Sequence, residues 1–349
     1  MSRTSRKREH VEHALTTGQS GTHGLSDVKF VHNCLPDLAM EQTDMSTCIG
    51  GLALSSPIVV NAMTGGASET YSINQSLGII ARETGLALAV GSQMAAIRDS
   101  SLVETYRIAR REHPHGILFG NLGAEATPEM ARRAVEMIEA DGLQIHLNVM
   151  QELIMPEGER DFSGALRRIE AIVQAVDVPV IVKEVGFGIS RETACKLTDC
   201  GVAAIDIGGR GGTNFAQIEN MRRAQPFAVL NEWGISTAAS LLEVATLEVR
   251  PDIMATGGIQ TGLDTARCLA LGASCVGMAG VFLRYAVDGR TEEAIEYVNN
   301  LHEELSVIMT ALGAPTIAAL QRVPLVITGD TYHWAEQRGI NCKVFAQRS

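Results

Sequence analysis

From residue 57 onward the chain keeps a rhythm of short apolar runs separated by longer amphipathic segments. The runs are PIVVNAM (57–63), LALAVGS (86–92), GILFGNL (116–122), LQIHLNV (143–149), VPVIVKEV (178–185), AAIDIGG (203–209), DIMATGG (252–258) and CVGMAG (275–280). Their brevity, apolar character and flanking turn residues predict buried strands. The segments between them carry the helical period. In PEMARRAVEMIEADG (128–142), Met130, Ala134, Met137 and Ile138 share one face, and Gly142 is expected to end the helix. FSGALRRIEAIVQAV (162–176) predicts a helix that starts after Ser163 and stops before Pro179. Eight strand–helix units in series predict a parallel sheet closed as a TIM (β/α)8 barrel. An open doubly wound sheet is the alternative, but its G-x-G-x-x-G fingerprint is absent after the first strand. FAVLNEWG (227–234) can be read as a ninth strand. We expect instead one long loop over 208–235, closed by the helix STAASLLEVATLEV (236–249).

The stretch I-H-L-N-V-M-Q-E (145–152) is unusual within this pattern. Period-two alternation places Ile145, Leu147 and Val149 on one face and His146 and Asn148 on the other. Gln151 and Glu152 then fall at the expected end of the strand. Other strand ends carry Thr64, Ser92, Asn121, Lys183, a glycine cluster at 208–212, Gly257, Gly258 and Gly280. A barrel core requires none of these there, whereas barrel enzymes place their chemistry at the C-terminal strand ends. This distribution marks an enzyme.

Composition narrows the class. A chain of 349 residues, 46% hydrophobic and 20% charged, reads as soluble and globular. A net charge of −11 argues against nucleic acid as a partner. No apolar run approaches the roughly 20 residues that span a bilayer, so no membrane partner is expected. The polar, basic first 20 residues lack a secretion core. Seven scattered cysteines without a close C-x-x-C pair read as reduced thiols, and with the missing secretion core they point to the cytoplasm. Cys195 and Cys200, five apart on a predicted helix, are the pair that could serve redox or metal chemistry. The start R-T-S-R-K-R reads either as a solvated terminus or as an anion-binding arm.

Two stretches carry specific chemistry. In ATGGIQTGLDTARCLALGASCVGMAG (255–280), consecutive strands end in glycine and lead into helices, which leaves N–H groups free to approach an anion. Phosphate sites built from the seventh and eighth loops recur in barrels. Lys183 closes an apolar strand and is costly to bury unpaired. It calls for an anionic or electron-rich ligand, a Schiff-base role, or a salt bridge to a strand-end carboxylate such as Asp206.

The pattern G-G-I-x-T-G-x-D-x-x-x-x-L-A-L-G-A followed by G-M-A-G (257–280) resembles the FMN-binding barrels of the glycolate-oxidase-like group. Those oxidases carry a histidine base in S-N-H-G after strand six. Here the matching D-I-G-G-R-G-G-T-N (206–214) has none, which disfavours an oxidase of another anionic substrate, the alternative reading. A closer resemblance rests on R-K-x-x-H (6–10), N-A-M-T-G-G (61–66), V-G-S-Q-M (90–94), N-L-G (121–123), H-L-N-x-x-Q-E (146–152), K-E-V-G-F-G (183–188) and G-G-x-G-G-T-N (208–214). In that order, over residues 6–335, the series resembles the type 2 isopentenyl-diphosphate isomerases.

The resemblance implies an N-terminal arm and extension (1–56) that contributes to the substrate site, an FMN-binding barrel (57–312) and a C-terminal extension (313–349) packed on it. It implies that Ala62, Met63 and Thr64 line the flavin ring, and that Ser92 and Asn121 bond the ring or ribityl chain. Lys183 would sit near N1, and Thr213, Gly257, Gly258, Ile259, Ala279 and Gly280 would hold the phosphate. The implied reaction is a 1,3-allylic proton shift converting isopentenyl diphosphate into dimethylallyl diphosphate, with reduced FMN as acid–base and NADPH as its reductant. Arg6, Lys7, His10, Arg98, His146 and Asn148 would bind the diphosphate, Glu152 would hold Mg²⁺, and Gln151 would act at the reacting carbons. For the basic start, the resemblance favours the anion-binding arm. It also implies a homo-oligomer, a tetramer or octamer.

Overall fold

The computed structural model describes residues 22–348. Three short strands precede the barrel: β1 (Val28–Phe30), β2 (Thr47–Ile49) and β3 (Leu52–Leu54). Eight strands then close it: β4 (Ile58–Val60), β5 (Ala87–Ala89), β6 (Leu118–Gly123), β7 (Gly142–Leu147), β8 (Val180–Glu184), β9 (Ala204–Asp206), β10 (Asp252–Thr256) and β11 (Cys275–Met278). All neighbours in the ring are parallel, and β11 pairs back onto β4. Each of the eight apolar runs contains one barrel strand.

The strand period explains both cores. Val59, Phe119, Ile181, Ala204 and Met254 point inward and pack together inside the ring. Their neighbours Ile58, Val60, Leu118, Val180, Val182 and Ile205 point outward into the shell of helices. One step further up the inward-facing rows the side chains become polar: Asn121, His146, Lys183, Asp206 and Thr256. The barrel is therefore an apolar plug beneath a polar floor.

The hairpin β2–β3 closes the opposite end. Ile49 is fully buried with the inward apolar residues. The Gly50 N–H donates to Asp252 at the start of β10, at 2.8 Å, and Thr47 donates to the Ser274 carbonyl just before β11, also at 2.8 Å. A twelfth strand, β12 (Leu325–Ile327), pairs antiparallel with β1. The helix Gly329–Gln337 follows it and is tied to the barrel helix Thr237–Ala245. Glu243 of that helix accepts from Trp334 Nε1 at 2.9 Å and Arg338 Nε at 2.7 Å.

Three expectations need correction. The helix Pro128–Ile138 ends at Glu139, which takes the left-handed conformation with φ 49°, not at Gly142. Gly142 opens β7, where a Cβ would stand 2.8 Å from the Phe119 ring. The segment 208–235 is not one loop. It holds the helix Phe215–Met221, capped by Asn214, and a 3₁₀ turn at Ala228–Leu230, and no ninth strand. Alternation in 145–152 stops at Leu147, because Val149–Ile154 is a helix with Asn148 as its N-cap. Val149 is accordingly exposed rather than buried beside Ile145.

Candidate active site

A cavity of about 350 Å³ opens above the polar floor at the C-terminal strand ends. Every strand of the ring contributes to it. From the β4 end come Ala62, Met63 and Thr64, and from β5 comes Ser92. Asn121, His146 and Lys183 line it from β6, β7 and β8. Asn148, Gln151 and Glu152 reach it from the helix after β7. Thr213 contributes from the loop after β9, Gly257, Gly258 and Ile259 from that after β10, and Ala279 and Gly280 from that after β11. The expected residue set thus converges, with four exceptions. Arg98 ends the helix Met94–Arg98, exposed and away from the cavity lining. Arg6, Lys7 and His10 lie outside the described residues.

The glycine loops interleave. Gly257 and Gly258 hold φ values of 117° and 84°, a region closed to most side chains. A Cβ on Gly257 would strike the Gly209 carbonyl, and one on Gly258 would strike that of Gly211. Among the described residues, no acceptor takes the N–H groups of Gly258, Ile259 or Gly280. Gly280 also begins the helix Gly280–Val287, whose first turn leaves N–H groups unpaired toward the cavity. This donor set suits a phosphate.

The floor is a linked polar array. Asp206 is fully buried and accepts from Asn61 Nδ2 at 2.7 Å, from the Gly208 N–H at 3.2 Å and from the Thr256 hydroxyl. Burial pushes its carboxyl pKa up, against the Lys183 charge and these hydrogen bonds. Lys183 does not close a salt bridge to Asp206; its Nζ donates to the Glu184 carbonyl at 3.1 Å. Glu184 Oε2 accepts three backbone N–H groups, from Val185, Gly186 and Phe187, at 2.6–2.8 Å. Burial still raises its pKa to about 7. His146 lies 2.9 Å through Nδ1 from Asn121 Oδ1. Burial, and then Lys183, lower its pKa to about 3, so the ring is neutral near pH 7. Asn121 Nδ2 is committed to the Val90 carbonyl at 3.2 Å. His146 therefore carries its proton on Nδ1, and Nε2 is an acceptor.

Gln151 is buried, and its Nε2 donates to Glu219 Oε1 at 3.1 Å. Glu219 is fully buried and accepts from Arg222 at 2.5 Å; Arg222 also pairs with Glu157. Glu219 lies on the helix Phe215–Met221, within the stretch expected to be loop, and Asn214 ahead of Phe215 is the sequence signal for that helix. Glu152 accepts from Asn148 Nδ2 at 3.0 Å and from the Glu159 N–H at 2.8 Å. No group of three or more His, Cys, Asp or Glu side chains is placed to hold a metal among the described residues. Cys195 and Cys200 are both free thiols.

Comparison with known proteins agrees with this geometry. The profile of the FMN-dependent dehydrogenase family matches residues 86–326. A protein of Geobacillus sp. (strain WCH70) named isopentenyl-diphosphate delta-isomerase is 54% identical over 349 residues, all of both chains. The chain belongs to the isopentenyl-diphosphate delta-isomerases of the FMN-dependent family. A second member, from Bacillus pumilus (strain SAFR-032), is 54% identical over 350 residues, covering 100% of this chain and 99% of its own. The barrel itself is shared more widely. A Pediococcus acidilactici lactate oxidase superposes with TM-score 0.66 at 16% identity, covering 93% of this chain and 94% of its own. As a member of this family the chain is an isomerase and a flavoprotein, and the cavity suits FMN: a phosphate cradle on one side, a polar floor, and apolar walls from Met63, Ile259 and Met278. Among the described residues, no helix is long and apolar enough to cross a membrane.

Proposed function

We infer that the chain interconverts isopentenyl diphosphate and dimethylallyl diphosphate at this cavity. The observation that carries the reading is the helix Val149–Ile154, which brings Gln151 and Glu152 into the same cavity as the glycine cradle and Lys183. The cradle of Thr213, Gly257, Gly258, Ile259, Ala279 and Gly280 would take the FMN phosphate, and Ala62, Met63, Thr64, Ser92 and Asn121 would border the ring and ribityl chain. When bound and reduced by NADPH, FMN supplies the acid–base group for the allylic proton shift. Lys183 places positive charge where a reduced, anionic ring is stabilised. Gln151, fixed by Glu219, positions the reacting carbons; an amide is not a base at neutral pH.

His146 and Asn148 face the diphosphate, with Arg6, Lys7 and His10 of the arm as further cations. Arg98, exposed at the end of the helix Met94–Arg98, is the remaining basic side chain of this set. Glu152 would share Mg²⁺ with diphosphate oxygens. One carboxylate suffices for an ion that keeps waters and phosphate ligands. The test is an anaerobic assay. Reduced protein with Mg²⁺ converts isopentenyl diphosphate through many turnovers without stoichiometric loss of NADPH. One NADPH consumed per product would instead identify an oxidoreductase.

A further inference from the structure

Asp206 is absent from every role assigned above, yet it is the more deeply buried of the two floor carboxylates and, among the described residues, accepts three hydrogen bonds. It lies beside Lys183 in register across β8 and β9. By the strand period it points inward, as Ala204 does one step below. Its donors constrain its state. Asn61 Nδ2 and the Gly208 N–H can only donate, and they approach different oxygens, Oδ2 and Oδ1. A proton on Oδ2 would face Asn61, and one on Oδ1 has room only toward the Thr256 hydroxyl, which can accept as well as donate; the Lys183 charge alongside favours the ionised form.

Asn61 carries the effect upward. With Nδ2 held by Asp206, its Oδ1 accepts from the Ala62 N–H and from Gln144 Nε2, both at 2.9 Å. Ala62 begins the segment Ala62–Thr64 that lines the cavity. We propose that Asp206 is a positioning residue of the flavin site. Its carboxylate is the fixed counter-charge to Lys183 and, through Asn61, sets the backbone that borders the ring. The proposal rests on FMN occupying this cavity.

An isosteric Asp206→Asn change separates this role from a packing strut. The new amide presents N–H groups to Asn61 or to Thr256 and Gly208. If Asn61 flips to answer it, the Ala62 N–H loses its acceptor. One negative charge also disappears beside the ring. The ratio of reduced to oxidised FMN affinity, from anaerobic titration and redox potentiometry of the holoprotein, should rise about tenfold toward the reduced, anionic form. Equal weakening of both forms, with the ratio unchanged, would make Asp206 a strut and overturn the counter-charge. Wild-type protein that binds no FMN would refute the flavin placement instead.

Should the variant not fold, wild-type holoprotein carrying carboxyl-labelled aspartate gives a second readout. Its redox-difference infrared spectrum should show a perturbed ionised-carboxylate band from a buried aspartate. An unperturbed band, or a protonated-carboxyl band, overturns the proposal.

Discussion

Gln151 can hold a substrate only as firmly as it is held itself, which makes Glu219→Gln the most direct test of the site. Glu219 is fully buried and, among the described residues, joins the donors Gln151 at 3.1 Å and Arg222 at 2.5 Å. The substitution keeps size and shape but replaces one accepting oxygen with an amide that donates. One of the two contacts becomes donor against donor. Arg222 retains Glu157, so the unpaired-charge cost of breaking a buried pair, about 3–5 kcal/mol, is not reached. The loss of one hydrogen bond to a charged group is the better measure, about 2 kcal/mol. Because Arg222 makes the shorter bond, the donor–donor clash falls on Gln151. A misplacement of about 1 Å costs on the order of 100-fold in rate. The expected outcome is kcat lowered about 100-fold, KM changed less than threefold and FMN affinity unchanged, read by steady-state isomerase assay and flavin titration. A folded, flavin-loaded variant with kcat within threefold of wild type would refute the positioning role of Glu219.

Further predictions address the other contacts. Gly258→Ala forces a Cβ onto the Gly211 carbonyl at φ 84°, so it should cost about 2 kcal/mol or more of stability and weaken FMN binding; calorimetry and flavin titration read both. His146 is neutral and presents a bare Nε2, so a diphosphate oxygen there requires a proton. Diphosphate binding should take up about one more proton in wild type than in His146→Gln, and this part of the affinity should strengthen as pH falls; calorimetry in buffers of different ionisation enthalpy measures the difference, and equal uptake would exclude the contact. Glu152→Gln should raise the Mg²⁺ concentration needed for half-maximal activity about tenfold or more and leave FMN bound; loss of flavin would make Glu152 structural.

The barrel was legible because its strands are short, apolar and almost wholly buried, so period and length were enough to find it. The glycine cradle was legible for a related reason: positive φ and close loop approach leave only glycine tenable at 257 and 258. What failed was local termination. Glu139, not a glycine, ends the helix in the left-handed region, and Gly142 answers instead the close approach of the Phe119 ring, a demand made by a distant residue. The helix Phe215–Met221 carries a buried Glu219 where an apolar side chain would mark the inner face, so its period was hidden. Asp206 and Asn61 could be seen as polar residues in strands, but their pairing spans 145 residues of sequence. Gln151 and Glu152 stood out at the expected strand end, their roles came from the resemblance, and their helical setting emerged only in three dimensions.

The hairpin β2–β3 has a kinetic consequence. With Ile49 stopping the far end, the described residues leave the barrel a blind well, and traffic shares the doorway at the C-terminal strand ends. In the proposed cycle the reductant and the diphosphate must use that doorway in turn. Charging the flavin and turning over substrate become separate episodes. Once the flavin is charged, a diphosphate that stays in the doorway shields it both from a second reductant and from dissolved oxygen. The reduced state should then outlast many turnovers, its lifetime set by how seldom the entrance stands empty.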